Sequence, residues 1–260
     1  MDVELRKSRN GVLKFLLKDV TPAFANSIRR TILQGVPTMA IDEVEVEKND
    51  SVMSDEILAH RLGQTPLVTP EGYLLPSECD CLEGRCPNCS VDLSLQVEGP
   101  SVIRGEDLDP SDPEASPVEG NSPIVRLGEG QKLEFNAIAR LGFGEDHANW
   151  QPAIVSYKYM SVIDIDQDAR DDWGECVESC PEDILAIKND EMVVTDIEKC
   201  TMCEACLEAC PDAIDVGEDS SQFIFRVEST GTMPPERLVS RAIEILKGKC
   251  EEFTEQMERF

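Results

Sequence analysis

Hydrophobic and polar residues alternate along the first part of the chain, which predicts two short strands within residues 2–18. Asn10 and Gly11 interrupt the alternation, and this dipeptide readily supplies the positive φ angles of a two-residue hairpin turn. A helix is predicted next, because Thr21 is a favourable N-cap, and it should end at Gly35. Its apolar positions recur every four residues, at Phe24, Ile28 and Ile32.

The middle of the chain is predicted to form a mixed, largely antiparallel sheet region. A helix over residues 55–62 should end at Gly63. Between residues 106 and 123 lie four prolines and six acidic residues, so we expect a solvated loop there. The predicted strands of this region are residues 91–97, 133–141 and 153–165; separate strands are predicted before it, at residues 40–47, and in the last forty residues, at 223–227.

One long amphipathic helix is predicted from Pro234 to Phe260. Its apolar positions advance by three or four residues, which is the spacing of a coiled-coil seam. At about 1.5 Å per residue the helix would span roughly 40 Å, longer than a small domain needs to cover its own sheet. The seam either packs in the chain's own core or receives a partner helix. Its positions are Val239, Ala242, Leu246, Cys250, Phe253, Met257 and Phe260.

Composition and charge exclude several classes of function. The chain has 260 residues and a formal net charge of −28, so its surface repels phosphate backbones and anionic lipids. We therefore expect no direct contact with nucleic acid and no membrane association. Without an apolar leader or a membrane-spanning stretch, the protein is expected to be cytoplasmic. No catalytic motif is found and the chain has two histidines, so no catalytic residue is assigned.

Eleven cysteines in a reducing compartment are better explained as metal ligands than as a disulfide framework. One run has the C-x2-C-x2-C-x3-C-P spacing of bacterial-type ferredoxins, in which the fourth cysteine serves the other cluster of a two-cluster domain. The run consists of Cys200, Cys203, Cys206 and Cys210.

An incomplete copy of this run precedes it by 30 residues and contains Cys176 and Cys180. Arg170 and Trp173 stand where the first two cysteines of the copy would be. The sequence therefore predicts one iron–sulfur cluster, of the 4Fe-4S or 3Fe-4S type, and leaves Cys176 with Cys210 as a possible disulfide or a pair of free thiols. The alternative is that all four ligands come from residues 200–210. The predicted ligands are Cys180, Cys200, Cys203 and Cys206.

A second group of four cysteines lies within residues 79–89 and suits a tetrahedral, all-cysteine structural zinc site. The alternative is a thiol loop without metal. No ligand position is left open for a substrate, so catalysis is not expected there. The group consists of Cys79, Cys81, Cys86 and Cys89. Cys250, on the helix seam, is most simply a small buried hydrophobic residue.

Residues 22–33, 36–42 and 55–67 closely resemble the α-like subunits of cellular RNA polymerases. The most specific motifs are Asn26-x-x-Arg29-Arg30 and His60-Arg61-Leu62-Gly63. Together with the ferredoxin-like insert, they are most similar to the archaeal D-type members of this family, which are related to bacterial α and to the third subunit of eukaryotic RNA polymerase II.

The resemblance implies an α+β fold with a discontinuous dimerisation domain formed by residues 1–45 and 219–260. Residues 46–165 would form an inserted mixed-sheet domain that carries the four-cysteine loop, and residues 166–218 a ferredoxin-like iron–sulfur domain. The implied partners are the small subunit L, as a heterodimer, and the two large catalytic subunits.

Residue roles also follow from the resemblance. Arg29 and Arg30 would contact the large subunits. The dimer interface would include Phe24, Ile28, Leu246, Phe253 and Met257.

We therefore expect a non-catalytic assembly subunit of DNA-directed RNA polymerase, whose nucleotidyltransferase activity belongs to the complex and whose cluster is structural. The alternative is a ferredoxin-like electron carrier or a redox-sensing subunit, because the same thiols could switch between paired and free states.

Overall fold

A computed structural model of the chain describes residues 1–81, 85–170 and 172–259. Phe260, the last predicted position of the helix seam, lies outside the described residues. The fold is mixed α/β, with several sheets and few helices. The strands, in chain order, are β1 (Asp2–Arg9), β2 (Val12–Lys18), β3 (Thr38–Asn49), β4 (Ser90–Glu98), β5 (Ser101–Arg104), β6 (Asp109–Pro110), β7 (Pro123–Leu127), β8 (Lys132–Gly142), β9 (Ala153–Ile165), β10 (Leu185–Lys188), β11 (Glu191–Val194) and β12 (Ile214–Ser229).

The helices connect these strands, and most are short. A π-helical segment, Thr31–Gly35, follows the first of them directly. No helix in the described ranges is long and apolar enough to cross a membrane. The α-helices, in chain order, are α1 (Pro22–Arg30), α2 (Asp55–Gly63), α3 (Gly174–Glu178), α4 (Ala205–Ala209) and α5 (Pro235–Met257).

The chain divides into two compact units. The first unit combines Met1–Ser8, Lys14–Asn26 and Ser156–Arg226, and the second contains the remaining described residues. The first unit is built on a four-stranded sheet with strand order β1-β2-β12-β9. One layer of its core is aromatic: Phe15 stacks on Phe225 with ring centroids 5.0 Å apart, and Tyr157 contacts Phe225 at 5.3 Å.

The N-terminal hairpin and the helix after it confirm the predictions from turn and capping residues. Asn10 and Gly11 have φ angles of 53° and 72°, as the two-residue turn requires. The side chain of Thr21 accepts a hydrogen bond from the backbone N–H of Phe24, 3.3 Å away. The helical segment ends at Gly35 as predicted, but its last turn is π-helical rather than α-helical.

The second unit contains a four-stranded sheet with strand order β3-β8-β4-β6. All of its pairs are antiparallel, which confirms the predicted antiparallel character for residues 91–97 and 133–141, whereas residues 153–165 pair in the other sheet. Leu58 and Leu62 of α2 are fully buried in the core formed on this sheet, together with Leu93 and Phe135. The prediction that residues 106–123 form only a solvated loop is wrong in part, because its apolar side chains anchor it in the same core. These side chains are Leu108 and Ala115, which are 4% and 0% exposed.

Strand pairing crosses two of the predicted domain boundaries. β9 falls in the predicted insert 46–165, yet it pairs in the sheet of the first unit beside β12. β3 begins in the predicted dimerisation segment 1–45, yet it pairs along its length with β8. The predicted boundary after residue 45 therefore cuts through β3, and sheet pairing places β9 with strands from the two ends of the chain.

Candidate metal centres and interaction surface

The four cysteines of residues 79–89 converge on one point. Their sulfur atoms all lie within 4.8 Å of one another, and among the described residues this is the group that gathers enough donors to hold a single metal ion. The Sγ atoms are 3.6 Å apart between Cys79 and Cys86, 3.5 Å between Cys81 and Cys89, and 3.6 Å between Cys86 and Cys89. The predicted grouping is therefore present, and its donors can hold a metal ion.

The thiols in this loop differ in how easily they ionise. A hydrogen bond from the backbone N–H of Asn88 lowers the pKa of Cys86 to about 7. Burial raises the pKa of Cys89 to about 12. Because a metal binds the thiolate form, Cys86 is the ligand best prepared for it, and metal binding has to drive the proton off Cys89.

Arg85 attaches the loop to the sheet of the second unit. One terminal nitrogen of its guanidinium lies 2.7 Å from Asp92 of β4, and the other lies 3.1 Å from Glu45 of β3. Because Arg85 directly precedes the predicted ligand Cys86, these ion pairs hold the chain in place next to that thiol. Arg85 is not among the residues predicted from the sequence, although a lone arginine inside a cysteine loop of an acidic chain is a usable signal.

The second group of predicted ligands lies in the first unit and surrounds a cavity. The cavity walls also include apolar side chains from β9, β10 and β12, namely Ile163, Leu185 and Val216. Burial raises the pKa of Cys206, whereas Cys203 is exposed at the cavity rim. The four thiols that the cavity brings together are Cys180, Cys200, Cys203 and Cys206.

The remaining two cysteines of the repeat are joined to each other. A disulfide bond links Cys176 of α3 to Cys210, with Cα atoms 5.8 Å apart. Cys210 is thus engaged away from the cavity, which disfavours the alternative ligand set within residues 200–210. Of the two alternatives predicted for this pair, the structure has the disulfide and not the two free thiols.

The two residues that replace cysteines in the broken copy occupy the space around this disulfide. The guanidinium of Arg170 lies 3.3 Å from the sulfur of Cys210. Trp173 is 2% exposed and packs in the core with both cysteines of the disulfide. A large aromatic ring and an arginine thus fill the position where a second set of ligands would stand. The sequence identified both substitutions but not this packing.

Helix α5 has two halves with different surroundings. Leu238 and Ala242 are fully buried in its first half, which packs against the π-helical segment Thr31–Gly35. Every residue from 249 to 259 is exposed. The two interpretations of the seam therefore apply to different parts of the helix: the first half is a core face, and the second half lacks packing in the described part of the chain.

Apolar side chains continue along this exposed half. Phe253 and Met257 are 65% and 56% exposed, and Leu246 is half-buried at the junction of the two halves. Cys250 is also exposed, so the expectation of a buried thiol is wrong. The apolar seam continues along α5 beyond the residues that pack in the core of the described chain.

The other predicted contact residues lie on α1. Phe24 is 38% exposed, and Arg30 is exposed while Arg29 is half-buried. Ile28 is 3% exposed. Its place in the predicted dimer interface has to be corrected, because its side chain is already buried in the chain's own core.

Nearly the whole chain is similar in sequence to known proteins. Residues 14–250 match the family described as the RNA polymerase Rpb3/Rpb11 dimerisation domain. DNA-directed RNA polymerase subunit Rpo3 of Methanosphaera stadtmanae is 40% identical over 96% of this chain and 96% of the relative. The Rpo3 subunit of Methanothermobacter thermautotrophicus is 41% identical over 97% of each, and that of Pyrococcus furiosus is 39% identical over 100% of this chain and 98% of the relative. These relatives are subunits of a nucleotidyltransferase complex, and the chain belongs to the RNA polymerase Rpb3/Rpb11 dimerisation-domain family.

Proposed function

We propose that this chain is a non-catalytic assembly subunit of DNA-directed RNA polymerase, equivalent to the archaeal D-type subunit. It would form a heterodimer with the small subunit L, and the pair would be the platform on which the two large catalytic subunits assemble. The observation that carries the proposal is the exposed half of α5, residues 249–257, in a member of a dimerisation-domain family.

A helix without tertiary packing is marginal in water, because most helical stability in proteins comes from burying an apolar face. The exposed half of α5 has no such burial in the described residues, yet Phe253 and Met257 continue its apolar seam. A partner helix that covers this seam would supply the missing packing. Acidic residues flank the seam at Glu251, Glu252 and Glu255, so the partner's flanking positions should be basic or neutral.

The proposed architecture places the dimerisation surface at the two chain ends and the metal centres between them. Residues 1–45 and 219–260 would supply that surface, with β9 added to their sheet. The four-cysteine loop would belong to the insert, and residues 166–218 would form the ferredoxin-like part. Arg29 and Arg30 would face the large subunits.

Zinc suits the loop of residues 79–89. With Zn–S bonds of about 2.3 Å, the sulfurs of a regular tetrahedron lie roughly 3.8 Å apart, close to the 3.5 to 3.6 Å separations in the loop. An all-cysteine site is coordinatively closed and structural. Bound zinc would cross-link the loop without taking part in a reaction.

One iron–sulfur cluster suits the second group of thiols. The donor set is all sulfur, its spacing follows the ferredoxin run, and apolar side chains wall the cavity that Cys180, Cys200 and Cys206 line. When bound, the cluster would cross-link two separate chain segments. Its role would be structural, since a piece of about 50 residues has a marginal core on its own.

The proposal is tested by co-expressing the chain with subunit L and analysing the product by gel filtration. The test variant carries Phe253→Glu and Met257→Glu. The matched control is Ile187→Glu, which also places a carboxylate on an exposed apolar side chain, one that is 50% exposed. Loss of two buried apolar contacts should weaken heterodimer formation about 100-fold or more.

The wild type and the Ile187→Glu control should co-elute with subunit L, and the double variant should not. A wild-type chain that elutes alone would contradict the proposal. So would a double variant that binds as tightly as the control.

A redox-sensing role is the second candidate, favoured by the position of Arg170 beside the disulfide. Reduction by a dithiol would break the bond between Cys176 and Cys210 with two electrons and two protons, giving two thiols, while the reductant becomes a disulfide. Reduced and oxidised chains should then differ in their assembly with the large subunits. Equal assembly of both forms would remove this candidate.

A further inference from the structure

Two cations of the first unit hold the segment that leads into Cys200. Arg6, on β1, forms an ion pair of 2.5 Å with the carboxylate of Glu198. Lys158, on β9, donates hydrogen bonds of 2.5 and 2.8 Å to the backbone carbonyls of Glu198 and Cys200. β1 and β9 are the two edge strands of the sheet, so the segment is fastened from both edges.

Lys158 satisfies carbonyl groups that the local backbone leaves open. Residues Ile197–Lys199 form one turn of 3-10 helix, and Cys200 is its C-cap. Carbonyl groups at the end of a helix have no partner within the helix, and a cation is favourable there. Lys158 is half-buried, and its ammonium supplies both the hydrogen bonds and the charge.

The carbonyl that Lys158 holds belongs to a predicted cluster ligand. The sulfur of Cys200 also accepts a hydrogen bond from the backbone N–H of Met202, 3.4 Å away, and it lines the cavity with the other three thiols. Lys158 therefore fixes the backbone of this ligand from outside the ligand set. Groups that orient metal ligands in this way usually account for a factor of 10 to 100 in metal affinity.

We propose that Lys158 is a positioning residue for the iron–sulfur cluster: it orients Cys200 and places a positive charge beside the site. The inference rests on the cluster assignment made under the proposed function. The charge has an electrostatic consequence, because net charge and hydrogen bonds around the sulfurs set the reduction potential of a cluster. Reduction adds negative charge, so the ammonium favours the reduced form and raises the potential.

The experiment compares full-length wild type, Lys158→Met, Lys158→Arg and the matched control Lys188→Met, all purified without oxygen. Lys188 lies on β10 in the same unit, is exposed, and forms no ion pair through its ammonium in the described ranges. Two quantities are measured: the rate at which an iron chelator removes the cluster, and the reduction potential of the cluster.

Lys158→Met should lose iron about 10-fold faster than Lys188→Met and have a more negative reduction potential. Lys158→Arg should keep both properties near those of the wild type, because it retains the charge and the donors. Arg6→Gln, which releases the side chains of Glu198 and Glu4 but leaves the carbonyl of Cys200 bound to Lys158, serves as a second variant if Lys158→Met does not fold, and it should show a smaller increase in the loss rate.

Two results would overturn the inference while the cluster assignment stands. One is a Lys158→Met protein whose loss rate and potential equal those of Lys188→Met. The other is equal impairment of Lys158→Met and Lys158→Arg, which would indicate general disruption rather than positioning. A wild-type chain without iron and inorganic sulfide would instead refute the cluster assignment, and the inference with it.

Discussion

The two groups of four cysteines differ in how the chain brings them together. Residues 79–89 gather their four sulfurs within 4.8 Å from one short loop. The second group draws Cys180 from one copy of a repeat and three thiols from the other, and spreads them around a cavity with apolar walls. The same number of thiols is thus gathered in two ways: locally, by one short stretch of sequence, and from two separate segments that the fold brings together.

The repeat allows a second comparison, between the two positions at which its copies could hold a cluster. At the cavity, three thiols of the intact copy and Cys180 of the broken copy are free, whereas the remaining cysteine of each copy, Cys210 and Cys176, is joined in a disulfide. Trp173 and Arg170 fill the space beside the disulfide. One of the two positions thus keeps four free thiols around a cavity, and the other is closed by packing and a covalent bond.

The largest expected effect comes from removing the buried ligand of the first group. Cys89→Ala should abolish zinc binding and expose residues 79–89 to proteolysis, because structural zinc supplies about 10–16 kcal/mol of binding free energy. The measurement is zinc content per chain with limited proteolysis. Cys250→Ala, which removes an exposed thiol outside both groups, is the matched control. Unchanged zinc content in Cys89→Ala would refute the assignment.

Cys203→Ser should produce the next largest effect, and only in the second group. Iron and inorganic sulfide should fall to background, because one of the four cavity thiols is lost, while zinc content and binding to subunit L persist. Elemental analysis, with Cys250→Ser as control, and gel filtration with subunit L, with the wild type as control, measure these quantities. Loss of subunit L binding with iron retained would contradict the proposed separation of roles.

Removing the disulfide should have an intermediate effect. The double variant Cys176→Ala, Cys210→Ala opens a loop closed across a sequence separation of 34, which should lower the free energy of unfolding by about 3–4 kcal/mol. The melting temperature under oxidising conditions measures the loss. Iron content should not change. A loss of iron would indicate that Cys210 is a cluster ligand, as in the alternative set within residues 200–210.

The smallest effect is expected at Arg85. Arg85→Met removes the ion pairs to Asp92 and Glu45 and should weaken zinc affinity about 10-fold, roughly 1.4 kcal/mol. Competition with a coloured zinc chelator measures the affinity. Arg126→Met, at an exposed arginine on β7, is the matched control, and equal affinities of the two variants would show that the ion pairs do not position the loop.

Local signals in the sequence were sufficient for much of the fold. Asn10 with Gly11 specified a hairpin turn, and Thr21 specified a helix start, because these effects depend on neighbouring residues alone. The hairpin of β10 and β11 was missed, although Asn189 and Asp190 supply its turn with φ angles of 52° and 66°. Each of these strands has four residues, which is too few for an alternation of apolar and polar residues to be recognised in the sequence.

Features that depend on long-range packing could not be predicted in this way. Ile28 follows a helical seam that suits a partner as well as a core, and its burial is decided by residues distant in sequence. Cys250 lies on the same kind of seam, and its exposure is likewise decided by whether residues distant in sequence pack against it. Spacing grouped the cysteines, but it carried no information on Lys158, which acts from another segment, or on the carboxylate of Asp92 that pairs with Arg85.

The account's central claim is that the chain holds two chemically different metal centres, and elemental analysis of anaerobically purified wild type, Cys89→Ala and Cys203→Ser tests it most directly. We predict zinc, iron and inorganic sulfide in the wild type, loss of zinc alone in Cys89→Ala, and loss of iron with sulfide alone in Cys203→Ser. The same metal at both groups, or loss of all three elements from either substitution, would contradict the claim.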